Sequence, residues 1–133
     1  MQEVSTRSGG RSIELTPIKS RTIEDKGRFV PVGGSRQEAD VCSVLNGIFE
    51  LAISSNASDI HFEFDDIDGL SVRTREGGDL SFMTYSLAVE PARLARAKIC
   101  AKTRLDDQER LVPQDGRMMV FFCGRRVDVR VAI

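Results

Sequence analysis

The chain has 133 residues, enough for one domain with a loose end. Its 19 basic and 20 acidic residues nearly cancel, so no global field draws it to nucleic acid or to a membrane surface. The longest unbroken apolar run, residues 118–123, is too short to cross a bilayer. Residues 1–10, MQEVSTRSGG, lack the apolar stretch of a signal peptide, so a cytoplasmic location is expected.

Residues 1–36 are rich in Ser, Thr, Arg and Gly and are broken by Pro17, Pro31 and Gly33-Gly34. Within them only SIEL (12–15) and RFVPV (28–32) suit short strands. The segment reads as a flexible or loosely docked arm, followed by a compact domain over 37–133. Residues 38–53 carry Val41, Leu45, Ile48 and Ala52 on one helical face, widened by Val44, Phe49 and Leu51. Gly47 inside this helix costs about 1 kcal/mol relative to Ala and marks a candidate close contact. Ser54-Ser55-Asn56 ends it.

Three strands are expected next. DIHFEF (59–64) turns Ile60, Phe62 and Phe64 inward and Asp59, His61 and Glu63 outward. A turn at 65–69 leads to LSVRTR (70–75), with Leu70, Val72 and Thr74 inward and Arg73 and Arg75 outward. A second turn at 76–79 leads to LSFMTY (80–85). Pairing of the first two strands would set the arginines beside Asp59, His61 and Glu63, either as exposed ion pairs or as an interface. Glu90-Pro91 opens a second helix, with Leu94, Ala97, Ala101 and Leu105 as its buried stripe and Ile99 broadening it. Pro113 ends what precedes it, and Asp115-Gly116 supplies turn chemistry with Gly116 free to take positive φ. MMVFF and RVDVRVA then form a hairpin across Cys123-Gly124-Arg125. The class is α+β, a mostly antiparallel sheet packed with two main helices, PAS-like, in the order α-β-β-β-α-β-β.

Chemistry is sparse. No GxxxxGK[ST], no GxGxxG opening a helix and no hydrolase triad is present. The acidic groups Asp59, Glu63 and Asp106-Asp107 read as solvated faces, and His61 as an imidazole tethered by carboxylates. Three widely spaced cysteines and a single histidine give no metal-ligand spacing, so no metal site is expected. Cys42, Cys100 and Cys123 read as small reduced hydrophobes. Among the arginines, Arg130 stands out: a regular strand carries it, with Asp128 on the same face to orient it. A strand-borne guanidinium offers a rigid fork to a phosphate.

Three segments, AISSNASDIHFEF (52–64), GLSVRTREGGDL (69–80) and LDDQERLVPQDGRMMVFFCGRRVDVRV (105–131), occur together in an order that resembles one family. It is the domain just upstream of the motor in type II secretion and type IV pilus assembly ATPases, and the resemblance covers about residues 38–133. Thr74, Gly77, Asp107-Gln108, Leu111 and Ala132 depart from the family pattern. The resemblance implies an amino-terminal fragment of a longer hexameric motor whose own ATPase domain, absent here, holds ATP and Mg. This domain would close over that nucleotide, with Arg130 contacting its phosphates and Arg117 and Arg126 supporting the same surface. By itself the chain would bind no cofactor and catalyse nothing. Implied partners are its own motor domain, neighbouring subunits of a homohexamer and inner-membrane pilus or secretion platform proteins, which would hold it peripheral to that membrane. The alternative is a PAS-like interaction module that never meets a nucleotide. A nucleic-acid binder is disfavoured by the balanced charge, one Tyr and no Trp.

Overall fold

A computed structural model describes residues 6–8, 11–13, 23 and 27–133, with the backbone alone at 6–8, 11–13 and 82–85. Strands β1 (Thr6–Ser8) and β2 (Arg11–Ile13) pair as a small antiparallel ribbon. Residues 14 and 15 of the expected SIEL strand lie outside the described residues. RFVPV carries no strand.

Helix α1 spans Arg36–Ser54, started by Ser35, whose Oγ accepts from the Glu38 N–H at 3.1 Å. Val41, Leu45, Ile48, Phe49 and Ala52 are buried as the 3.6-residue period requires. Leu51, expected to widen that face, is instead 42% exposed; it falls on the flank that neither the sheet nor α2 covers. The surprise on the buried face is Asn46. Its amide makes two bonds to one residue of the amino-terminal segment, accepting from Phe29 N at 2.8 Å and donating to Phe29 O at 2.9 Å. Phe29 is thereby held against Phe49, ring centroids 5.4 Å apart. Ile23 is buried too, bridging the edge of the sheet at Phe122 while its N–H donates to Glu50. Two residues from the low-complexity end of the chain thus belong to the core.

Strands β3 (Asp59–Asp65), β4 (Gly69–Glu76) and β5 (Asp79–Leu87) form the expected meander. Asp65 Oδ1 accepts from the Ile67 and Asp68 N–H groups, which holds its carboxyl below the usual carboxylate range. Thr74 is buried, its hydroxyl donating to Glu76 Oε2 at 3.0 Å, so this polar group on the inward face is satisfied.

Helix α2 spans Val89–Thr103. Its buried face is Ala92, Ala95, Arg96, Ile99, Cys100 and Thr103. The expected stripe of Leu94, Ala97, Ala101 and Leu105 is therefore rotated: Ala101 is exposed, and Leu94, Ala97 and Leu105 are half-buried. The cause is Arg96, an inward-facing cation that an apolar count assigns to the solvent side. Its Nη2 donates to Glu109 O at 2.6 Å and its Nε to Asp107 Oδ1 at 3.2 Å, with the guanidinium over the Phe64 ring at 5.4 Å. These bonds tie the 104–114 connection to the helix.

Asp115-Gly116 is not a turn. It begins β6 (Asp115–Phe122), and Gly116 does not take positive φ. Glycine is required there by proximity: a Cβ would stand 2.8 Å from Thr103 Cβ. The two-residue turn Cys123-Gly124, at φ 52° and 78°, joins β6 to β7 (Arg125–Ala132), a geometry that matches strand twist. The sheet order is β5-β4-β3-β7-β6, antiparallel throughout except for β3 with β7, paired at Ile60↔Val131 and His61↔Ala132. Both helices cover one face, over a core that includes Leu45, Phe49, Ile60, Phe62, Val72, Val120 and Val131. The class is α+β.

Asn46→Ala is expected to lower stability by about 1–3 kcal/mol, because both polar groups of Phe29 are left buried and unpaired. The check is urea unfolding, with limited proteolysis near residue 29 becoming faster. Burial pushes the Cys42 and Cys100 thiols up, which removes thiolate at neutral pH. A thiol reagent should therefore modify Cys123, half-buried at the hairpin turn, and reach the other two only on unfolding.

Candidate functional site

Strand β7 presents Arg126, Asp128 and Arg130 on the outer face of the sheet while Val129 and Val131 enter the core. Across the β6–β7 hairpin Arg117 stands directly opposite Arg130. Two like charges in that relation repel, and carboxylates offset them. Asp59 Oδ1 lies 3.8 Å from Arg130 Nε, and Asp115 Oδ2 lies 3.6 Å from Arg130 Nη2. The second oxygen of Asp59 faces Arg75 Nε at 3.3 Å. A transverse row therefore crosses four strands: Arg117 on β6, Arg130 on β7, Asp59 on β3 and Arg75 on β4.

The separations decide what this row can do. Both carboxylates lie beyond hydrogen-bond reach of Arg130, and among the described residues its side chain makes no hydrogen bond. It is held by charge with its N–H fork uncommitted, 53% exposed. Arg96 is the contrast, because its donors are spent on the 104–114 connection. Arg117 is exposed, with no side-chain partner among the described residues.

Of the sequence candidates, the structure sets Arg117 beside Arg130 and leaves Arg126 apart. Arg126 points from the same face but lies four residues nearer the hairpin turn, about 13 Å along the strand. It pairs loosely with Asp128 at 3.8 Å, both exposed. It also rims a groove of about 350 Å³ between the end of α1, the start of β3 and the first half of β7. The expected cross-strand pairs exist: Asp59 with Arg75, and Glu63 with Arg73 at 2.8 Å. Sequence reasoning missed that Asp59 also serves Arg130. Nothing local signals it, since β3 and β7 are far apart in the chain. No group of three His, Cys, Asp or Glu among the described residues is placed to hold a metal ion, and no helix among them is long and apolar enough to cross a membrane.

Comparison with known proteins gives this geometry a context. Residues 35–133 match the family described as type II/IV secretion system protein. The chain is 38% identical over 99 residues to the type II secretion system ATPase E of Vibrio cholerae, covering 74% of this chain and 19% of that protein. It is 38% identical over 123 residues to the type II secretion system protein E of Pseudomonas aeruginosa, covering 92% of this chain and 23% of that protein. With the protein of the same name from Klebsiella pneumoniae it shares 35% identity over 99 residues, 74% of this chain and 19% of that one. It thus spans about a fifth of the length of these relatives. With the matched region taking in both helices and the whole five-stranded sheet, the chain belongs to the type II/IV secretion system protein family.

Proposed function

We propose that this chain is the amino-terminal regulatory and assembly domain of a hexameric secretion or pilus-assembly ATPase. It closes over a nucleotide held by a motor domain and supplies phosphate-contacting arginine. The observation that carries the reading is the uncommitted fork of Arg130, exposed on a rigid strand and oriented by two carboxylates outside hydrogen-bond range. An arginine kept this way can trade weak carboxylate attraction for bidentate bonds to a phosphate. Arg117, opposite it, adds a second positive charge, and Arg126 supports the same face nearer the hairpin turn.

The residues present fit the phosphate end of ATP and not its metal, since the carboxylates beside the arginines face guanidinium groups and no three His, Cys, Asp or Glu among the described residues are placed to hold a metal ion. Mg would be held on the motor side, where the ion would supply charge neutralisation at the phosphates. The chain itself contains no GxxxxGK[ST] loop, so in this reading ATP hydrolysis depends on the motor domain. Its partners would be its own motor domain, neighbouring subunits of the ring and inner-membrane platform proteins, which would keep it cytoplasmic and peripheral to that membrane. The proposed division is a compact domain over 37–133 with residues 1–36 as an arm, fastened where Phe29 meets Asn46 and where Ile23 meets Phe122.

In the assembled full-length protein, Arg130→Ala should lower kcat by up to about 10³-fold and change the unfolding midpoint little, as befits an exposed side chain. Arg130→Lys should recover little, because an ammonium lacks the planar fork. Steady-state ATPase kinetics on size-selected hexamers is the check. Normal turnover by Arg130→Ala hexamers would overturn the nucleotide reading and leave a protein-interaction module in its place.

A further inference from the structure

We infer that Asp59 is the positioning residue for Arg130, a counterion shared with Arg75 whose grip is deliberately weak. This rests on the proposed role of Arg130 and adds a residue to it. Asp59 is the least exposed charged group of the row, 15% against 53% for Arg130, 37% for Arg75 and 62% for Asp115. Its place is fixed by hydrogen bonds of the preceding residue. Ser58 N donates to Arg75 O at 2.9 Å and Ser58 Oγ to the same oxygen at 3.3 Å, pinning the start of β3 to the end of β4. The parallel pairing of β3 with β7 then brings Arg130 alongside.

Charge explains why a carboxylate is needed here. Arg75, Arg130 and Arg117 lie in one row, and Asp59 sits between Arg75 and Arg130. Without it, Arg130 would face Arg75 and Arg117 with only the more exposed Asp115 to offset them, and would swing toward solvent. The same carboxylate is divided, one oxygen for each arginine, and the closer partner is Arg75, at 3.3 Å against 3.8 Å. Arg75 thus prevents Asp59 from capturing the Arg130 fork outright. Arg130 is aimed without being satisfied, which is the state in which a phosphate can take it.

Two readouts test this. In the 133-residue chain, the solvent exchange of the Arg130 Nε proton, followed by NMR, should quicken several-fold in Asp59→Asn as its electrostatic restraint is lost. In the assembled full-length protein, Asp59→Asn should lower kcat by about tenfold or more with KM within about twofold, the pattern of an interaction that matters in the transition state. In an Arg130→Ala background the same substitution should add almost nothing, since a residue that acts through Arg130 has nothing left to position. Asp59→Glu keeps the charge and should fall between wild type and Asp59→Asn; it replaces the Asn variant in the cycle if that one fails to fold. Unchanged Arg130 exchange, or losses that multiply independently in the double variant, would overturn the inference. A silent Arg130→Ala paired with faster Arg130 exchange in Asp59→Asn would instead overturn the nucleotide reading while leaving the Asp59–Arg130 coupling in place.

Discussion

The structure depends on one short parallel pairing. β3 and β7 meet in register at Ile60↔Val131 and His61↔Ala132, and through that contact two antiparallel units, the β3-β4-β5 meander and the β6-β7 hairpin, become one sheet. Parallel pairing is slightly weaker per residue than antiparallel, and this one is short. Burial supplies the support: Ile60 and Val131, opposite each other, are both in the core under the two helices. The same pairing carries Asp59 to Arg130, so the event that completes the core also assembles the charged row on the opposite face. Slipping β7 by one residue would send Arg130 inward and Val131 outward, which the buried face forbids.

Two arginines illustrate how burial divides labour. Arg96 lies among apolar residues, with its donors spent on the Asp107 side chain and the Glu109 backbone. Removing a partner from such a group is costly, so its role is to hold the 104–114 connection that delivers the chain to β6. Arg130 lies at the surface, its side chain making no hydrogen bond among the described residues. Exposed ion pairs contribute little to stability, so the pairs this side chain makes do little to hold the fold. Cys42 and Cys100, buried with raised thiol pKa values, belong with the structural group.

Much of the fold was legible because it is local. The β3-β4-β5 meander and the β6-β7 hairpin follow from period-two alternation and turn residues, and α1 follows from its apolar spacing. What failed did so for identifiable reasons. The buried face of α2 was misplaced because Arg96 counts as polar in any pattern yet is satisfied indoors. Gly116 looked like turn chemistry next to Asp115, whereas it is a contact point beneath Thr103. Ile23 and Phe29 sit in a polar, low-complexity stretch, and isolated hydrophobes carry no period; only the Asn46 amide reveals where the second one goes. The place of Arg130 on the outer face of β7 was legible from strand alternation, and its proposed role came from the family resemblance. Its partner Asp59 was visible only as half of a hairpin ion pair, because the adjacency of β3 and β7 is written nowhere in local sequence.

The central claim is that Arg130 waits beside carboxylates in order to be taken by a phosphate. The direct measurement is a structure of the assembled full-length protein with a non-hydrolysable ATP analogue bound. The account predicts that the Arg130 guanidinium leaves Asp115 and comes within about 3 Å of a terminal phosphate oxygen, as a charge-assisted hydrogen bond requires. Arg130 still paired to Asp59 and Asp115, with the nucleotide held only by other residues, would contradict it.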